Sequence, residues 1–144
     1  MHMNETQFFL KAMMESVQMC RSFVADGIEA ASEASFRKFL SQLQGELDGI
    51  ESALTANAKE LEIYSDELPP LSYYQNRIRN RLFLHFKNSD SAVAESIIRC
   101  CTDCMIRITR SNNLACESSI NAQILFHRMI GHLNVAIRTC GFYL

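Results

Sequence analysis

The sequence predicts an all-α fold, an antiparallel four-helix bundle with a short extra helix between its second and third long helices. Three observations predict it. Phe36, Leu40, Leu43, Leu47, Ile50, Leu54 and Leu61 recur at alternating spacings of four and three, interrupted only by Asn57. That is the rhythm of a helix packed lengthwise on another helix. The 144 residues hold only 5 Gly and 2 Pro, too few for a turn-rich β protein, while Ala, Leu, Glu, Gln, Arg and Met favour helix. The rest of the chain divides into further amphipathic runs separated by short polar breaks.

The first predicted helix runs from Glu5 to Gly27. Phe9, Met13, Ser16, Cys20, Phe23 and Gly27 share a face, flanked by Ala12, Val17 and Val24. Ser32 is placed to cap the second helix, which extends to Ile63. Pro69-Pro70 must leave the helix. Ser72 opens a capping box with Gln75, and a short helix from Tyr73 to Lys87 presents Tyr74, Ile78, Leu82 and Phe86 on one face. Asn88-Ser89-Asp90 breaks it. The third long helix runs to Arg110 with Val93, Ala94, Ile97, Cys101, Cys104, Met105 and Ile108 inward, and Ser111-Asn112-Asn113 is read as a turn. The fourth spans Ala115 to Cys140, with Gly141 suited to a left-handed position after it. Its predicted inward face centres on Ile120, Ile124 and Gly131 and carries the polar Gln123, His127 and Asn134, which need partners if buried. Met14, Leu125 and Met129 fall outside the predicted core.

A chain of this length suits one domain, residues 1–144, with Met1-His2-Met3 set aside as an expression remnant. Residues 1–70 carry 12 acids and 5 bases, and residues 71–144 carry 4 acids and 9 bases. An acidic half and a basic half suggest two hairpins that pack on each other. The net charge of −2 gives no global pull toward nucleic acid or an anionic membrane. Arg77, Arg79 and Arg81 beside Tyr73 and Tyr74 are read as a solvated face or as partners for the acidic half. No basic region precedes an apolar run at the start, and no stretch reaches membrane-spanning length. A cytoplasmic setting is therefore expected, with the six cysteines as thiols.

The usual chemistry of a helical bundle is a carboxylate-bridged pair of metal ions, which needs Glu-x-x-His on two helices and a Glu on each of the others. Leu82, Ile124 and Met129 stand three residues before His85, His127 and His132, and the second helix has no histidine. A di-iron site is excluded on that ground. Cys20, Cys101, Cys104 and Cys116, with His127, fall on inward faces and form a candidate soft-metal or thiol cluster. The competing reading treats them as small apolar packing residues. Cys101 and Cys104 match Cys-x-x-Cys, but in mid-helix, and Cys100 and Cys104 stand at the i, i+4 spacing that thiolate-lined copper bundles repeat.

The hairpin from Ser32 to Leu61, the polar gap and short helix after it, and the pair Ala94–Arg110 and Leu114–Arg138 with Gln123-x-x-x-His127-x-x-x-Gly131 resemble an uncharacterised family of bacterial ferritin-like bundles. The layout is similar to that of spore-coat-associated bundles. The resemblance implies a ferritin-like four-helix fold and a bacterial cytosolic setting. The function expected is a non-enzymatic structural or protein-interaction module, dimeric or bound to another protein. No catalytic residue, metal or cofactor and no nucleic-acid or membrane partner is expected. The alternative is metal binding or thiol redox chemistry at the Cys/His cluster.

Overall fold

A computed structural model describes residues 5–60, 78–81, 83, 84, 87, 89–115 and 119–144, with side chains at all of these except 58–60. Four long helices carry the fold: α1 (Glu5–Ala30), α2 (Ala34–Glu60), α3 (Asp90–Leu114) and α4 (Ile120–Gly141). Residues 78–81, 83 and 84 are also helical, and no strand occurs among the described residues. Leu61, Ile63, the two prolines, the capping box at Ser72 and Gln75, Cys116 and Met1-His2-Met3 lie outside the described residues.

α1 packs chiefly on α2 and α3, and α4 closes the ring by packing on α3 and α2. Residue pairs set the registers. Arg21 of α1 meets Asp48 and Glu51 of α2. Glu15 of α1 meets Arg107 of α3, and Glu46 of α2 meets His132 of α4. One end of the bundle gathers three elements. The Asp90 carboxylate accepts backbone N–H bonds from Ser32 and Glu33 at 2.6 and 3.1 Å, and the Tyr143 ring stacks on Phe36 with centroids 4.0 Å apart. Arg107–Glu15, His132–Glu46 and Arg81–Asp26 each join a base from the second half of the chain to an acid from the first.

The stripe of α2 packs as its spacing requires: Phe36, Leu40, Leu43, Leu47, Ile50 and Leu54 are all buried. Each such side chain contributes about 1.5–3 kcal/mol by leaving water. Phe9 of α1 and Phe126 of α4 meet edge to face across the centre, with centroids 5.5 Å apart. α1 does not stop at Gly27 but continues to Ala30. Gly27 is there for proximity: a Cβ on it would lie 3.0 Å from Val93 Cγ1 and 3.1 Å from Ile97 Cδ1 of α3.

Several local expectations are corrected. α2 begins at Ala34, with Glu33 rather than Ser32 at the cap position: the Glu33 carbonyl accepts from Arg37 N–H, and the N–H groups of Ser32 and Glu33 go to Asp90 of another helix. Ser89 is the cap of α3, its side chain accepting from Ala92 N–H. α3 runs through the expected turn at Ser111-Asn112-Asn113 to Leu114. Asn112 is held there by an inter-helix bond, its side-chain oxygen accepting from the Gln123 side-chain amide at 2.6 Å. α4 starts at Ile120, capped by Ser119, and ends on Phe142 in a right-handed conformation (φ −71°, ψ −15°), so Gly141 is helical and forms no left-handed cap. Ile78 is exposed, while Asn80 and Leu84 are buried.

The largest correction is the phase of α4. Its buried face is Ala122, Leu125, Phe126, Met129, Leu133, Ala136 and Cys140. Ile120 is 79% exposed and Ile124 59%, and His127, Gly131 and Asn134 are exposed with them. The helix carries apolar residues on two sides, so periodicity alone could not choose between them. The wider stripe, anchored by Phe126 on Phe9, faces the core. Met14 likewise packs against the core. The phase has a direct consequence for stability. Met129→Ala is expected to lower the unfolding free energy by about 2–5 kcal/mol and Ile124→Ala by about 0.5 kcal/mol or less, measured by urea denaturation.

Candidate metal centre

The candidate site lies where α1 passes α3. Both helices are amphipathic, and α3 has two neighbours, so it buries a face wide enough to include Cys100 and Cys101 together with Cys104. Cys100 and Cys104 are one turn apart and point the same way. Cys20 stands opposite them on the buried face of α1. The Sγ atoms of Cys20, Cys100 and Cys104 all lie within 4.8 Å of one another. Cys20 to Cys104 is 3.6 Å and Cys100 to Cys20 is 3.9 Å. Three sulfurs each ~2.3 Å from one ion, as zinc–thiolate bonds are, would stand roughly 4 Å apart, so the group fits a single soft ion with little adjustment.

The five described cysteines are free thiols, all buried. The three at the cluster differ in acidity. Hydrogen bonds from Cys100 and Cys20 hold the Cys104 thiol well below its ordinary range, against the cost of burial. The Ser16 side chain and the Arg107 charge add to that lowering. The Ser16 residue is fully buried, and its hydroxyl makes no hydrogen bond among the described residues. When protonated, Cys104 donates instead to the Ser16 carbonyl at 3.7 Å. The Cys20 thiol is raised by its bonds to Cys100, Cys101 and Cys104 and by burial, and Cys100 is raised chiefly through Cys104.

Cys100 and Cys104 also form part of the wall of a cavity of about 430 Å³ between α1, α3 and the short helical segment. Asn80 and Phe83 of that segment line it too. The segment is pinned by a buried polar network: the Asn80 amide donates to Asp26 at 3.2 Å, the Ser96 hydroxyl donates to the Asn80 carbonyl oxygen, and Arg81 pairs with Asp26 at 3.4 Å.

Of the cluster expected from sequence, Cys20 and Cys104 converge. Cys101 is not one of the three grouped sulfurs. It lies close enough to raise both Cys20 and Cys140, whose thiol is pushed up to about 12, mainly by burial. His127 is exposed, its ring against the edge of Phe126, and is excluded as a ligand because α4 turns it away from the core. Asn134 is exposed for the same reason, so neither is a buried polar group. Gln123 is half-buried and bonded to Asn112. Cys100 is the member that inward-face reasoning missed. Its i, i+4 relation to Cys104 was the available signal. Compared with known proteins, the chain matches no family model, no curated protein and no solved structure.

The acidity of Cys104 can be checked. Its folded-state value lies below the ordinary thiol value of about 8.5, so between the two the native state binds one proton fewer than the unfolded state. The resulting stabilisation is complete above the unfolded value and is lost as pH falls through the folded one. Thiolate ultraviolet absorbance is expected at neutral pH, lost on acidification and in Cys104→Ala, and unchanged in Cys140→Ala.

Proposed function

We propose that this protein binds a soft metal ion at Cys20, Cys100 and Cys104. The observation that carries the reading is the convergence of three buried sulfurs from two helices within 4.8 Å. Two further features support it. The neighbours of Cys104 lower its thiol pKa, and the thiolate is the form that binds metal. Packing alone does not require three sulfurs to meet, since an alanine or valine would fill the same space without a buried polarisable group. Thiolate donors select Cu(I) or Zn(II) over magnesium or calcium.

The bundle supplying the site is read as antiparallel, with one long crossover between α2 and α3, which is the ferritin-like connection. The pairing of Asp90 with Ser32 and Glu33 at one end supports this reading, as do the registers between neighbouring helices. A reducing compartment such as the cytoplasm suits the five described cysteines, all free buried thiols. Among the described residues, no helix is long and apolar enough to cross a membrane.

Protein purified without oxygen and without an affinity tag is expected to take up one equivalent of Cu(I) or Zn(II) in competition with a chromophoric chelator. Cys104→Ala should lose that uptake and His127→Ala should keep it. Failure of both ions to bind the unaltered protein would overturn the reading.

A second reading, a protein-interaction module, is favoured by one observation. Ile120, Ile124, Val135 and Phe142 of α4 and its C-cap are 79%, 59%, 53% and 84% exposed, a row of apolar side chains of the kind that marks a partner face. It is compatible with a metal site in the core. Sedimentation should show self-association that Ile120→Ser/Ile124→Ser weakens. A strict monomer at high concentration would remove the homodimer.

A further inference from the structure

Resting on the metal-binding reading above, we propose that the three-sulfur site keeps one coordination position open toward the cavity, and that a small thiol bearing carboxylates occupies it to deliver or remove the metal. Three structural features lead there. Among the described residues, no fourth His, Cys, Asp or Glu donor joins the group. Thiolate sites for zinc are closed at four ligands, and a site with three protein ligands leaves the fourth to an exogenous one. The open side is identifiable. Cys100 and Cys104 face the cavity, and its volume of about 430 Å³ lies in the range of small-molecule pockets. Cys20 does not line it, so it stands behind the other two sulfurs.

The third feature is charge. Arg79, Arg99 and Arg107 line the same cavity, with Glu95 and Asp103. Arg99 is paired to Glu95 at 2.6 Å and Arg107 to Glu15 at 3.6 Å, while Arg79 is exposed. The lining carries three guanidinium groups against two carboxylates, and the carboxylates of an anionic thiol match the guanidinium fork. Phe83 and Met19 supply apolar wall for the carbon stem.

The exchange changes no oxidation state. The incoming thiol loses its proton to water and forms a metal–sulfur bond at the open position. For removal, each metal–cysteine bond that breaks is matched by a bond to an external thiolate, and the freed cysteine regains a proton from water.

The full chain, loaded anaerobically with one equivalent of Cd(II), is titrated with mercaptosuccinate and separately with β-mercaptoethanol. The sulfur-to-cadmium charge-transfer band and the cadmium retained after desalting are both read. The dicarboxylate thiol should raise the band by about one third, as three sulfurs become four, or extract the metal. It should do so at about tenfold lower concentration than the neutral thiol, the size of one partly screened guanidinium–carboxylate contact. Arg79→Gln should shrink that preference while leaving cadmium binding itself unchanged. If neither thiol alters the band or the retained metal, the site is closed and the proposal is wrong. If both thiols act at equal concentration, the arginines select nothing and it is equally wrong. In both cases the metal-binding reading survives, whereas absence of any band in the protein alone, or its persistence in Cys104→Ala, overturns that reading as well.

Discussion

The contact between α1 and α3 governs the rest of the molecule. Because Gly27 lacks a side chain, Val93 and Ile97 approach its backbone closely. Seven residues earlier on α1 is Cys20, and seven later on α3 are Cys100 and Cys104, about two helical turns away on each helix. The two helices thus carry one register from an apolar contact to the sulfur cluster, and on to the Glu15–Arg107 pair. A larger residue at Gly27 would push the helices apart where the three sulfurs depend on their spacing.

The core around this contact is mostly ordinary apolar packing, which makes its polar exceptions informative. Burial disfavours a charged thiolate, yet at Cys104 two neighbouring thiols, Ser16 and Arg107 outweigh it. Where such neighbours are lacking, at Cys140, burial prevails and the thiol is pushed up to about 12. Two buried cysteines in one bundle therefore have opposite character, decided by what each one touches. The Asp26–Asn80–Ser96 network adds a second buried polar group, which ties the short helical segment over the cavity that Cys100 and Cys104 face.

Much of the architecture was legible along the chain. The α2 stripe from Phe36 to Leu54 is buried throughout, and the inward residues read for α1 and α3 are buried or half-buried. Those helices have one apolar side and a contrasting polar one, so periodicity sets their orientation. α4 was not legible in the same way. Ile120 and Ile124 compete with Leu125 and Met129 for the core, and only docking against Phe9 and the α2 stripe decides between them. The α2 start was obscured for a related reason: Asp90, distant in sequence, holds the backbone at Ser32 and Glu33 by accepting their N–H groups, and the helix starts one residue later than a Ser32 cap would place it.

By itself the sequence determined an all-helical chain, the faces of its first three long helices, and the lack of ligands for a carboxylate-bridged metal pair, because each of these follows from local spacing. It also indicated that cysteines would lie inward. Only the tertiary structure decided which of them meet. Cys100 replaced Cys101 in the group and His127 left it. A rotation of one residue on a helix moves a side chain by about 100°, and the relative rotation of two helices is set by how their surfaces interlock across the core.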